Sequence, residues 1–261
     1  MQSYNNQVME EKVLISPDLP INSVQNKTTK AKPSITIKAF SIVKYLVITA
    51  IILVVLNMLV IVSFQLGMDF PGTHRFYFDR EMNLPSYFSS IIILIASFLL
   101  SIIAVIKRKE KDNFAKSWVI LAIIFLFMSI DESVVFHELL IEPINNKFHL
   151  PTFLRFSWVI IGGIFVLVFT VSYLRFFFSL PKTTKILFFI SGATFILGAV
   201  GLEMLGGYFY VKFDDFSERS LPYMISVTLE ESLEMSGILI FIFSLLHYLK
   251  SYAPKFTLSI E

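Results

Sequence analysis

The stretch Pro85–Ile106, PSYFSSIIILIASFLLSIIAVI, contains no charged residue and stops at the run Lys107-Arg108-Lys109-Glu110-Lys111. A helix of about 20 apolar residues crosses the hydrocarbon core of a bilayer, so this stretch reads as one transmembrane span. Five more have the same character, at about Phe40–Leu66, Ser117–Ile141, Thr152–Leu180, Thr184–Tyr210 and Leu221–Leu249. Turn and charge signals break the chain between them. They include Asp69-Phe70-Pro71-Gly72, Glu142-Pro143, Leu180-Pro181-Lys182 and Asp214-Asp215. The fold class expected is all-α, a polytopic membrane bundle of six transmembrane helices.

Composition agrees. The chain has 261 residues, 55% of them hydrophobic and 16% charged, with a mean hydropathy of +0.71. A soluble domain carries about 25% charged residues to cover its surface, and a disordered chain is poor in apolar residues. Both classes are excluded. The chain has no cysteine, which removes disulfides, thiolate metal sites, iron–sulfur clusters and cysteine nucleophiles. A net charge of +2 is too small to suggest nucleic acid as a partner. Membrane lipids are the partner expected.

Basic residues alternate along the connections. Lys12, Lys27, Lys30, Lys32 and Lys38 precede the first span, and Lys107, Arg108, Lys109, Lys111 and Lys116 follow the second. Arg175, Lys182 and Lys185 border the fourth connection, and Lys250 and Lys255 follow the last span. The other connections hold only the pairs Arg75 and Arg80, Lys147 and Arg155, Lys212 and Arg219. Short basic loops stay in the cytoplasm, so both termini are expected there, in a cell membrane of the bacterial inner-membrane type. Residues 1–37 read as a disordered cytoplasmic tail, 38–252 as the transmembrane domain, and 253–261 as a cytoplasmic C-terminal tail.

The spans also contain acids, each costing about 2.5 kcal/mol or more to insert. Span three carries Asp131, Glu132, His137 and Glu138; span five carries Glu203; span six carries Glu230, Glu231 and Glu234. With a rise of about 1.5 Å per residue, His137 and Glu138 fall about 6 Å from the outer end of span three and Asp131 about 15 Å. Glu203 falls about 10 Å from the outer end of its span, and Glu230 and Glu234 about 13–20 Å down theirs. Three helices thus bring acids to one layer. Asp131 and Glu138, seven apart, are expected within about 20° of each other on one helix face. Glu132 and His137 are expected to point to either side. Gly198, Gly201, Gly206 and Gly207 are expected to let span five approach its neighbours. Glu81, Asn83 and Ser86 enter span two from the same side, as a substrate-contacting lid. Trp118 and Trp158 fit interface anchoring.

Carboxylates with one or two imidazoles suit a divalent metal such as Mg, Ca, Mn or Fe, with Zn asking for more histidine. Asp131, Glu132, His137, Glu138, Glu203, Glu230, Glu231 and Glu234 are the metal-ligand candidates. The Glu-x-x-His pair of di-iron bundles is missing. The pattern Glu81-x-Asn83-x-Pro85-Ser86, then Ser129-x-Asp131-Glu132 with His137-Glu138, then Glu230-Glu231-x-x-Glu234 resembles a family of uncharacterised bacterial multi-pass membrane proteins. That likeness covers spans two to six and implies no activity. Glu81, Asn83 and Ser86 are also similar to the helix-entering segment of membrane hydrolases that include alkaline ceramidases. Those proteins need three zinc-binding histidines, and here only His137 has a suitable depth.

Two functions follow as expectations. One is a metal-dependent membrane enzyme on a lipid-like substrate, with its acidic site open to the extracytoplasmic side. The other is a proton- or cation-coupled transporter. Its support is the echo of Ser129-Ile130-Asp131-Glu132-Ser133-Val134 in Thr228-Leu229-Glu230-Glu231-Ser232-Leu233. The echo recurs after three spans, as inverted repeats do.

Overall fold

A computed structural model describes residues 39–68, 70–213 and 219–252. The tails expected at 1–37 and 253–261, and Asp69, Asp214 and Asp215 in the breaks, lie outside the described residues. Eight α-helices run in order: α1 (Ala39–Gln65), α2 (Leu84–Lys109), α3 (Ala115–Val134), α4 (Ile141–Lys147), α5 (Trp158–Ser179), α6 (Lys182–Ile196), α7 (Glu203–Lys212) and α8 (Leu221–Tyr252). A single π-helical stretch, Leu197–Leu202, joins α6 to α7 into one rod. Among the described residues six helices are long and apolar enough to cross a membrane, with α6 and α7 counted together. The all-α membrane bundle is the architecture found.

Burial identifies the centre of the bundle. Half of the apolar window of α8 is buried, against 11% for α5, and α8 packs on α1, α2, α6 and α7. Span six is therefore the central rod. Ile242 and Leu245 of α8 are fully buried with Leu100 of α2. Ile51 and Leu59 of α1 and Leu167 and Phe178 of α5 stay exposed, as side chains facing lipid do.

Polar contacts set the register between helices. Ser90 Oγ donates to the Ser129 carbonyl at 2.7 Å, Ser129 Oγ returns a bond to the Ser90 carbonyl at 2.9 Å, and Ser133 Oγ donates to Ser90 Oγ at 2.9 Å. Each interhelical bond of this kind contributes about 0.6 kcal/mol in a membrane bundle. In mid-α1, Asn57 is completely buried. Its amide donates to Thr228 Oγ1 at 2.8 Å and accepts the Phe78 N–H at 3.0 Å. The loop before α2 is thereby drawn down into the bundle, with Tyr77 and Phe78 each 4% exposed. Irregular backbone at this depth is tolerated because protein covers it.

Two spans differ from expectation. Span three ends at Val134, short of Ile141, because Val135 adopts the left-handed conformation at φ 60°. Residues 136–140 continue as a tighter 3₁₀ turn. Span four starts at Trp158, not Thr152, after a short 3₁₀ turn at Thr152–Leu154. The expected pairing of Asp131 and Glu138 on one helix face is lost with the helix that would have carried it.

Glycine sets how close span five lies to α8. A Cβ on Gly198 would sit 2.8 Å from the Glu230 carbonyl oxygen and 2.9 Å from Glu234 Cγ. A Cβ on Gly237 would sit 2.9 Å from the Phe195 backbone nitrogen. Ser191 Oγ, beside it, bonds the Gly237 carbonyl at 2.9 Å. Gly206 and Gly207 also face neighbouring segments, whereas a Cβ on Gly201 would meet only Leu197 of its own rod. Overpacking a close contact costs about 1–3 kcal/mol. Gly198→Ala and Gly237→Ala are each expected to lower the thermal midpoint of the purified protein, with Gly201→Ala near wild type. Equal midpoints for all three would contradict this packing.

Candidate functional site

The site is built where α3 stops. Val135 returns its N–H to the Asp131 carbonyl at 2.6 Å and folds the chain back on itself. The Asp131 carboxylate then accepts the His137 backbone N–H at 3.1 Å and meets His137 Nδ1 at 2.8 Å. A left-handed L-residue costs about 1–2 kcal/mol, and a β-branched one is an outlier there. Two hydrogen bonds to a carboxylate, each about 1.5–3 kcal/mol, outweigh that strain. The expected sideways direction of His137 is corrected: it turns back onto Asp131.

From His137 the contacts continue across the bundle. Its ring lies 4.8 Å, centroid to centroid, from the indole of Trp158. Trp158 Nε1 donates to Glu203 Oε1 at 2.9 Å. Glu203 and Glu230 lie within electrostatic reach of each other. Two carboxyl groups bond to one another directly only when one of them holds a proton. Gly206 leaves room for this meeting, since a Cβ there would stand 3.9 Å from Glu230 Oε2 and 3.4 Å from Ser226 Oγ. The π-helical stretch directly before Glu203 adds a residue to the turn and resets the face on which Glu203 emerges. Such bulges are frequent at functional sites.

The other expected acids fall into two groups. Glu132 and Glu234 line a narrow crevice with Ser89, and Glu231 lies within electrostatic reach of both. Glu230 and Glu234, one helical turn apart, thus serve different neighbours. Glu81 and Glu138 lie nearer the loops, each with exposed surface.

Asn83 and Ser86 form a reciprocal cap at the start of α2. Asn83 Oδ1 accepts the Ser86 N–H at 3.0 Å, Ser86 Oγ accepts the Asn83 N–H at 3.0 Å, and Asn83 Nδ2 donates to the Tyr77 carbonyl at 2.6 Å. With Pro85 in the first turn, this is a strong helix start. The two residues hold the loop that carries Glu81. Tyr223 Oη donates to Asp79 Oδ1 and fastens the same loop to α8.

Among the described residues, no three of His, Asp and Glu are placed to hold a metal ion together. Trp158 is not a simple interface anchor, because its N–H is committed to Glu203, and Trp118 is only 1% exposed in the core. Asn57 and Tyr223 are the contributors that sequence pattern does not single out, although Asn57 stands as a lone amide in an apolar span.

Loss of hydration lifts the Glu81 carboxyl from an ordinary 4.5 to about 7, although its side chain keeps exposed surface, and the charges of Glu138, Asp131 and Glu203 add to the rise against an opposing His137. Loss of hydration also raises Glu138, with His137 opposing and Glu203 assisting. For His137, burial works against the charged ring, but the Asp131 hydrogen bond and charge outweigh it and hold the pKa above 6.5. The folded state therefore binds Glu81's proton more tightly than the unfolded chain does. Stability from this group is full below 4.5 and is lost as pH rises to about 7. The raised pKa of His137 gives a slope of the same sign at higher pH. Thermal midpoints measured across that window are expected to fall in the wild type and to fall less in Glu81→Gln. Superimposable profiles would contradict the assignment.

A family model described as a domain of unknown function, DUF8692, matches residues 45–249, from within α1 to the end of α8. No curated protein and no solved structure matches the chain.

Proposed function

This chain belongs to the DUF8692 family, a domain family of unknown function, and from that footing we propose that it is a proton-coupled membrane transporter. Asp131, His137, Glu203 and Glu230 are the groups that take up and pass on the proton. One observation carries the reading. The Asp131–His137 pair touches the indole of Trp158, Trp158 bonds Glu203, and Glu203 lies within reach of Glu230, a line across four membrane-spanning helices. Asp131, His137, Glu203 and Glu230 are acid–base groups of the kind that form intramembrane proton relays, and Trp158, a donor only, holds the two pairs side by side without carrying the proton.

Helix irregularity supports the same reading. Asp131 sits directly before the break at Val135, and Glu203 directly after the π-helical stretch. Transporters place their sites at interrupted helices near the middle of the membrane. The bias of lysine and arginine toward the connections on the opposite side supports an extracytoplasmic setting for the Glu81–Glu138 end. A metal-dependent enzyme asks for convergent ligands, which the described residues do not supply.

The test is a pH jump applied to proteoliposomes on a solid-supported membrane, where proton binding registers as a transient current without a known cargo. Wild-type protein is expected to give a transient that falls about tenfold in Asp131→Asn and in Glu230→Gln, the size expected for one charge-assisted contact. Currents equal in wild type and both variants would overturn the proposal. So would a stoichiometric divalent metal that is present in wild type and lost in the double variant.

A further inference from the structure

Beside the proton line, α2, α3, α6 and α8 enclose a crevice lined by Ser89, Glu132 and Glu234 and walled by Ile92, Phe195 and Ile238. Ser89 is 5% exposed, and its hydroxyl has no hydrogen-bond partner among the described residues. Its neighbour Ser90 is fully engaged with Ser129 and Ser133. An unsatisfied buried hydroxyl costs about 1–3 kcal/mol, and folded proteins keep few of them. Ser89 lines the same crevice as two glutamates, and no Lys, Arg or His lines it.

The chemistry of the donors narrows the occupant. Two carboxylates and a hydroxyl form an oxygen-only set, which suits a hard cation. The crevice admits no water-sized sphere. Two carboxylates and a hydroxyl offer at most five oxygens, fewer than the six to eight that calcium takes, and magnesium keeps several waters for which this crevice has no room; sodium accepts the smaller oxygen set. Potassium is as large as a water molecule, whereas a bare sodium ion is smaller. We infer that Ser89, Glu132 and Glu234 form a binding site for a dehydrated sodium ion between α2, α3 and α8. The ion gives the Ser89 oxygen the partner it otherwise lacks and offsets negative charge held among apolar walls. The site shares none of the four residues of the proton line and does not rest on that reading.

Thermal unfolding of the full chain in detergent tests this, at constant ionic strength in sodium, potassium or choline chloride. Ligand binding to the folded state alone raises the midpoint with concentration. Sodium is expected to raise it saturably by several degrees, with potassium and choline without effect. Ser89→Ala is expected to shift the half-saturating sodium concentration upward about tenfold while leaving the midpoint in choline unchanged or slightly higher, since removing an unpaired hydroxyl is nearly neutral. Glu234→Gln is expected to abolish the sodium response, and if it does not fold, Ser89→Ala decides alone. An equal response to sodium and potassium, no response to sodium, or an unchanged response in Ser89→Ala would overturn the site. The sodium site is read as an unfolding midpoint and the proton line as a current, so the two readings fail separately.

Discussion

A carboxyl group inside an apolar bundle has to find a proton, a partner or a cation, and that constraint organises this protein. The central rod α8 brings three glutamates into the membrane, and span five brings a fourth. They are brought within reach by close packing. Gly198 lies against the backbone of Glu230, Gly237 against that of Phe195, and the π-helical stretch aims Glu203 toward α8. On the other side, a strained left-handed valine folds His137 onto Asp131. The indole of Trp158 touches both halves.

The surrounding structure holds that arrangement in place. The serines of α2 and α3 lock those two helices in register beside Asp131 and Glu132. Asn57 ties α1 to α8 next to Glu230 and holds the loop of Tyr77 and Phe78 inside the bundle. Asn83, Ser86 and the Asp79–Tyr223 bond fix the segment that carries Glu81. Polar groups that look out of place in apolar spans therefore form a supporting frame around the acids. The family match extends over the whole of this frame.

The spans were legible in the sequence because backbone satisfaction in lipid leaves few alternatives to a helix. Apolar length alone located all six. The acids were legible too, since charge inside a span is rare and stands out. Their grouping was only partly so. Helical periodicity placed Asp131 and Glu138 together on the assumption that the helix continued. A valine at φ 60° opposes its own local preference and is imposed by tertiary contacts. The π-helical stretch left no mark beyond its glycines. Trp158 read as an interfacial residue because a tryptophan near a span end usually is one. Whether its N–H finds lipid or a carboxylate depends on a residue 45 positions later.

The proton proposed to pass between Glu203 and Glu230 is the point on which the proposed function depends most. Infrared difference spectroscopy of the protonated-carboxyl stretch, recorded through a pH titration of the purified protein, examines it directly. A band from a hydrogen-bonded carboxylic acid should be present in the wild type and should vanish in both Glu203→Gln and Glu230→Gln. A wild-type spectrum without such a band, or one that survives unchanged in both variants, would show that the two carboxyls do not hold a proton between them.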